Sequence, residues 1–305
     1  MHLTRSTTHT MWDRAIPPVA RVSPGDEVTV EVANSSGGQL ARHSTNPDVA
    51  ALDFAKVNPV TGPIAIDGAE PGDVLVVDVV AIDVDTWGWT ANIPGFGLLA
   101  DDFPSAHLRV SSISAGEVEL LPGLVLPSVP MIGTIGVAPP ETKPSTVVVP
   151  TRFGGNMDIR HVTAGARLLL PVGVAGGLLS LGDTHAAQGD GEICGTGIET
   201  SSTVTLRLDL IRDREIRFPL VETDSRATRP GNAVAATGIG PDLMQATRDA
   251  ARGLIDEIVR RIGLDPLDAY LLASVAADLR ISEVVDAPNW VVSMHIERDL
   301  LEGTR

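Results

Sequence analysis

Val28, Val30 and Val32 alternate with Glu27, Thr29 and Glu31 behind a Pro24-Gly25-Asp26 turn, and this period of two with β-branched residues predicts a half-buried strand. The grammar repeats along the chain. Gly62-Pro63, Gly68 and Pro71-Gly72-Asp73 punctuate strands predicted over 64–66 and 74–84, and further short strands are predicted over 118–149 between Pro122-Gly123, Pro127, Pro130 and Pro139-Pro140. Val204, Leu206, Leu208 and Leu210 alternate with Thr205, Arg207 and Asp209 in the same way. The period changes only at Pro241, where Leu243, Ala246, Ala250, Leu254 and Ile258 recur at three and four residues. That spacing predicts a helix with Pro241 in its first turn and Gly263 as its stop. A second helix over about 266–277 and strands over 281–285 and 290–296 complete the chain. The expected architecture is mainly β, a sheet-on-sheet unit over 1–222 with a C-terminal α/β section, two helices and two strands, docked on it over 223–305.

Bulk composition narrows the function classes. The 305 residues carry 23 lysines and arginines against 39 acids, a formal charge of -16, with the acids dispersed and no basic patch. Such a surface repels polyanions, so no nucleic-acid partner is expected. A single cysteine, Cys194, excludes an internal disulfide, and the first residues lack the apolar run of a secretory signal. The longest oily stretch, 168–181, is broken by Pro171 and small residues and falls short of the ~20 residues of a spanning helix. A soluble, cytoplasmic protein without a membrane partner is the expectation.

Chemically capable residues concentrate in 153–199, and most densely in GDTHAAQGDGE, 182–192. If a strand ends at His185, Asp183 and His185 are two apart and share a face. A carboxylate beside an imidazole suits a divalent metal such as zinc, whose catalytic sites take three protein ligands and keep one position open. The third ligand would come from Asp190 or Glu192, or from a distant loop carrying Asn34 or His43. Glu192, Cys194 and Thr196 form a second period-two set, which permits Glu192 as proton shuttle or Cys194 as a thiolate nucleophile with Glu192 as its base. Asn156 and Asp158 in GGNMDIRH are placed to orient an amide or to support a metal ligand. Trp87, Trp89 and Phe96 cluster in a chain with 3% aromatics, either plugging the end of a sandwich or roofing a small pocket. Neither a phosphate loop nor a G-x-S-x-G elbow is present.

The segments VNPVTGPIAIDGAEPGD, GFGLLADDF, GGNMDIRH, LPVGVAGGLLSLGDTHAAQGDGEICGTGIE and ASVAADLRISEVVDAPN resemble, in order, the acetamidase/formamidase family, whose members hydrolyse short aliphatic amides to carboxylate and ammonia. The resemblance covers almost the whole chain. It implies a β-sandwich plus a barrel-like part with a small α/β section, a homodimer, and a divalent metal, zinc or calcium. Asp183, His185 and Asn34 are then the expected metal residues, Glu192 and Asp190 the catalytic acids, and Asn156, Asp158, Trp89 and Phe96 the substrate contacts. Where this chain has Asn34, the family resemblance leads to an acid. The expected mechanism is attack by a metal-activated water, with Glu192 moving its proton to the departing nitrogen. Two rivals use the same residues: a cysteine amidase built on Cys194, and a non-enzymatic β protein holding calcium or a small molecule.

Overall fold

The computed structural model describes residues 1–224 and 231–302. Two large sheets face each other, and the helices Leu243–Ile262 (α2) and Pro266–Ala276 (α3) cover the outer face of the first; a short helix, Asn46–Ala50 (α1), lies near the second. In the first sheet the described strands run in the order His2–Leu3, Glu27–Val32, Ser202–Ile211, Val74–Val84, Arg167–Pro171, Leu220–Asp224, Asn232–Gly240, Trp290–Glu297 and Ala277–Glu283. The C-terminal section thus joins edge to edge, by antiparallel pairing of Leu220–Asp224 with Asn232–Gly240.

Val28, Val30, Leu75, Val77, Val204 and Leu206 meet Ile64, Ile132, Ile135, Leu179 and Leu181 of the second sheet in one buried core. Along Arg167–Pro171, Leu168 and Leu170 enter that core while Leu169 turns to the helices, so both faces are dry and the strand reads as a continuous oily run. The stretch 168–181 is therefore two strands, one in each sheet, joined by a glycine-rich crossing. No helix among the described residues is long and apolar enough to cross a membrane.

The centre of the second sheet is Leu179–His185, buried at every residue. Met131–Val137 pairs along one edge; Val60–Ile66 and then Glu199–Thr200 pair along the other. This strand carries Asp183 and His185 into the interior.

Several elements differ from the periodicity. Asn232–Gly240 is a central strand that alternation cannot reveal, because Ala235 packs between the sheets while Val234 and Ala236 face the helices. Gly238 lies against the α2 backbone, so closely that a Cβ there would overlap Ala246 O. Trp87–Asn92 and His107–Ser114 are further strands. Pro241 precedes the helix: Asp242 is the N-cap, accepting from Gln245 N at 2.6 Å, and Gly263 closes α2 in the left-handed conformation.

α2 is tied down by charge as well as by Ala246, Ala250, Leu254 and Ile258. Glu257 accepts from Arg214 at 2.5 Å, Arg260 at 2.7 Å and Arg261 at 2.9 Å. Burial alone would raise its carboxyl, but the hydrogen bonds from Arg260 and Arg261 and the Arg214 charge outweigh it and hold it at about 2, below its ordinary 4.5. Because the folded value is the lower one, the stabilisation is complete above pH 4.5 and fades as pH falls towards 2. Glu257→Gln is expected to lower unfolding free energy at neutral pH by on the order of 3 kcal/mol. Urea midpoints should show the gap between variant and wild type shrinking at pH 3; a pH-independent gap would refute the charge account.

Candidate active site

The polar centre forms where two strands, Leu179–His185 and Glu199–Thr200, meet the loop of Asp158 and the loop of Gln188 and Glu192. Asp183 and His185 stand on Leu179–His185, and Nε2 of His185 is 3.2 Å from Asp183 Oδ1 and 3.1 Å from Glu199 Oε1. On the opposite side of the ring, Nδ1 is 3.9 Å from both Asp158 Oδ1 and Glu192 Oε1. Gln188 Oε1 takes Nδ1 at 2.8 Å, and its amide nitrogen donates to Asp158 O at 2.7 Å. That second bond orients the Gln188 amide, so Nδ1 donates to Gln188 Oε1 and Nε2 faces the Asp183 and Glu199 oxygens.

Unusual backbone makes the convergence possible. Asn58, Asp158, Asp183 and Glu192 all adopt positive φ, at 52°, 45°, 52° and 44°. Such conformations are uncommon for residues other than glycine and concentrate at functional sites. Glu192 consequently sits on a tight turn, closed by Gly195 N donating to Glu192 O at 2.7 Å, and not on a strand with Cys194 and Thr196. Two glycines supply space. A Cβ on Gly133 would lie 2.5 Å from Asp158 Oδ1 and 2.8 Å from Asp183 Oδ2, and one on Gly197 would lie 2.6 Å from His185 Nδ1.

Among the described residues, His185 is the one group of the centre that can carry positive charge. Four buried carboxylates, Asp158, Asp183, Glu192 and Glu199, surround one imidazole, and among the described residues no lysine or arginine pairs with any of them. Burial, then the charge of Asp183, pushes the Asp158 carboxyl well up; burial and Asp158 do the same to Glu192. Burial also raises Glu199 to about 7. Burial would lower His185, but Glu199 and Asp183 reverse that and raise it well above its usual range. Asp183 ends below its ordinary value because His185 outweighs burial. Both oxygens of Asp158 are buried without a hydrogen-bond partner. Orphaned acceptors among buried carboxylates suit a cation, and two groups are close enough that they could hold one: Asp158, Asp183 and His185, and His185, Glu192 and Glu199.

A cavity of about 250 Å³ opens onto this centre. Its floor is polar: Asn58, Asn156, Asp183, Glu192, Glu199 and Asp286. Asn156 accepts from Asn58 at 2.8 Å and donates to Asp286 at 2.5 Å, and Thr134 also donates to it, so its amide is committed to the wall. Trp89 and Phe96 line the other side, with Trp87 packed behind them.

Other expected residues lie elsewhere. The Asn34 oxygen accepts from Ser36 N, Ser36 Oγ and Trp89 Nε1, which occupies it as the anchor of its own loop and of Trp89 rather than as a metal ligand. Asp190 pairs with Arg280 at 2.9 Å outside the cavity, and His43 is exposed. Cys194 does not line the cavity; its Sγ is 3.4 Å from Thr196 O. Sequence reasoning passed over Glu199, Asn58, Thr134 and Asp286. Apart from Thr134, these stand in the segments GIE, VNP and VDAPN of the resemblance, and that was the available signal.

A buried carboxylate–imidazole centre that could hold a cation lies beside a small cavity in a two-sheet β fold. The chain belongs to the acetamidase/formamidase family, matching it over residues 1–147 and 141–302. It is 30% identical to a formamidase of Methylophilus methylotrophus over 96% of this chain and 89% of that one. The crystal structure of an acetamidase from Bacillus halodurans superposes with a TM-score of 0.91 at 32% identity, covering 99% of both chains. A gamma lactamase from Delftia acidovorans superposes at 0.71 with 25% identity, covering 97% of this chain and 90% of that one. The protein is thus a hydrolase acting on linear amides, and its mainly β fold is that of the family.

Gly133→Ala tests the geometry. Gly133 has no left-handed backbone demand, so the variant is expected to fold with a loss of about 1–3 kcal/mol while divalent-ion affinity drops at least tenfold. Calorimetric titration with zinc reads this directly, and unchanged affinity would show that Asp158 and Asp183 need not approach each other.

Proposed function

We propose that the enzyme hydrolyses neutral primary carboxamides to carboxylate and ammonia with the help of a divalent ion held by Asp183, His185 and Glu199, with Asp158 alongside. The observation that carries this reading is the uncompensated charge: four buried carboxylates, two orphaned oxygens on Asp158, and a single imidazole. An imidazole among carboxylates suits zinc better than calcium, which prefers an all-oxygen shell. Such an ion supplies positive charge that polarises an amide carbonyl and makes water more acidic.

The chain's own residues do the rest. Glu192 lines the cavity from its turn, 3.9 Å from His185 Nδ1, and no hydrogen bond from another described residue fixes its carboxylate. It takes a proton from the attacking water and gives it to the nitrogen as the C–N bond breaks, so that ammonia and not an amide anion departs. Gln188 holds the imidazole, Asn58 and Thr134 hold Asp183, and Ser35 donates to Glu199 at 2.6 Å. The acidic floor also repels the carboxylate product.

The position of Cys194 outside the cavity favours this mechanism over a thiolate one. Leu267, Tyr270, Leu271 and Val275 of α3 are exposed, beside Leu279 and Ile281 on the free edge of Ala277–Glu283. This apolar face supports the homodimer that the family resemblance implies.

Protein stripped by a chelator is expected to release no ammonia from formamide or acetamide, to regain activity with zinc, and to be untouched by thiol alkylation. Activity indifferent to chelator and lost on alkylation would transfer the chemistry to Cys194. Glu192→Gln is expected to keep its melting temperature and ion content while kcat falls by about 10² to 10⁴. Retained turnover would mean that another carboxylate, with Glu199 the nearest in place, moves the proton.

A further inference from the structure

We infer that the preferred substrates carry an apolar acyl substituent about the size of a phenyl ring, and that the loop holding Leu52, Phe54 and Val57 selects them; this rests on the amidase reading above. The cavity has two kinds of lining. Beside its carboxylates it is lined by an uncharged apolar set that includes Leu52, Phe54, Val57, Ile93, Phe96 and Val148. At about 250 Å³ it is much larger than a ~150 Å³ apolar cavity that accommodates benzene. A formyl or acetyl group would leave most of that apolar set facing water.

The two rings at the mouth are arranged to receive a third. Phe54 and Phe96 meet edge to face, centroids 6.5 Å apart and planes at 70°. Phe96 is fixed: Gly195 leaves room for its ring, and Gly97 packs on the Cys194 carbonyl in the turn that carries Glu192. Phe54 is 56% exposed, the kind of apolar surface that a bound ring covers. With the carboxamide on the floor, the substituent extends toward this pair. Hydrolysis then consumes one water: its oxygen joins the acyl carbon, the C–N bond breaks, and carboxylate and ammonium leave.

The test compares kcat/KM for ammonia release from phenylacetamide, acetamide and formamide by the metal-loaded enzyme. Phenylacetamide is expected to exceed acetamide at least tenfold; acetamide equal or better overturns the inference while leaving the amidase intact. Phe54→Ala should reduce kcat/KM for phenylacetamide at least fivefold more than for acetamide. Should that variant fold poorly, Val148→Trp, which fills the mouth, is expected to shift the ratio the same way, and a ratio unmoved by either overturns the role of the apolar set. If no amide releases ammonia, the amidase reading fails by itself. Calorimetry then decides the cavity: phenylacetamide binding more tightly than acetamide upholds the assignment, and equal or absent binding removes it.

Discussion

Like charges concentrated in a dry interior govern this molecule. Asp158, Asp183, Glu192 and Glu199 converge on His185, and one imidazole cannot balance four carboxylates. Left to burial, such groups become protonated, as the raised Asp158 and Glu192 carboxyls show. A bound cation reverses that pressure, because its own charge is the largest in the site. The surrounding structure makes sense as support for the arrangement. Leu179–His185 is buried along its whole length and paired on both edges, which fixes His185 and holds Asp183 against repulsion from the neighbouring carboxylates. Gly133 and Gly197 give up side chains where the charged groups must pass.

How much of this was legible depended on how local it was. Asp183 and His185 are two apart on one strand, so a period of two placed them together before any fold was known. Glu192 was legible as an acid in a glycine frame, although the strand geometry assumed for it gave way to a left-handed turn. Asp158 stood in a visible cluster, but nothing local distinguished a substrate contact from a carboxylate packed behind His185. Asn34 looked like a free loop ligand, and only the three donors that converge on its oxygen show otherwise. Glu199, Asn58 and Asp286 reach the site from separate segments, and strand pairing, which periodicity does not encode, brings them in.

The fold was legible on the same terms. Half-buried strands such as Glu27–Val32 declare themselves by alternation, and α2 by its stripe and its glycine stop. Asn232–Gly240 is silent because both of its faces are covered and its residues are small, the second property being required by the first: α2 presses so close that Gly238 has no room for a Cβ. Burial on both sides removes the very contrast that a sequence reading uses.

The placement of this silent strand has a functional consequence. It joins the N-terminal strands to Trp290–Glu297 and so to Ala277–Glu283, whose end reaches the active-site loop. There Gly191 donates to Ser282 O at 2.9 Å, next to Glu192, and Asp286 receives the Asn156 amide at 2.5 Å. The C-terminal section thus holds the turn that carries Glu192 and one part of the cavity lining, while Asp183, His185 and Glu199 come from the second sheet. On the proposed mechanism the two sheets must be correctly stacked for Glu192 and the Asp183–His185–Glu199 group to face one carbonyl. The apolar core between them is continuous, and Phe54 and Phe96 of the cavity lining stand on loops, whose changes would not disturb the stacking.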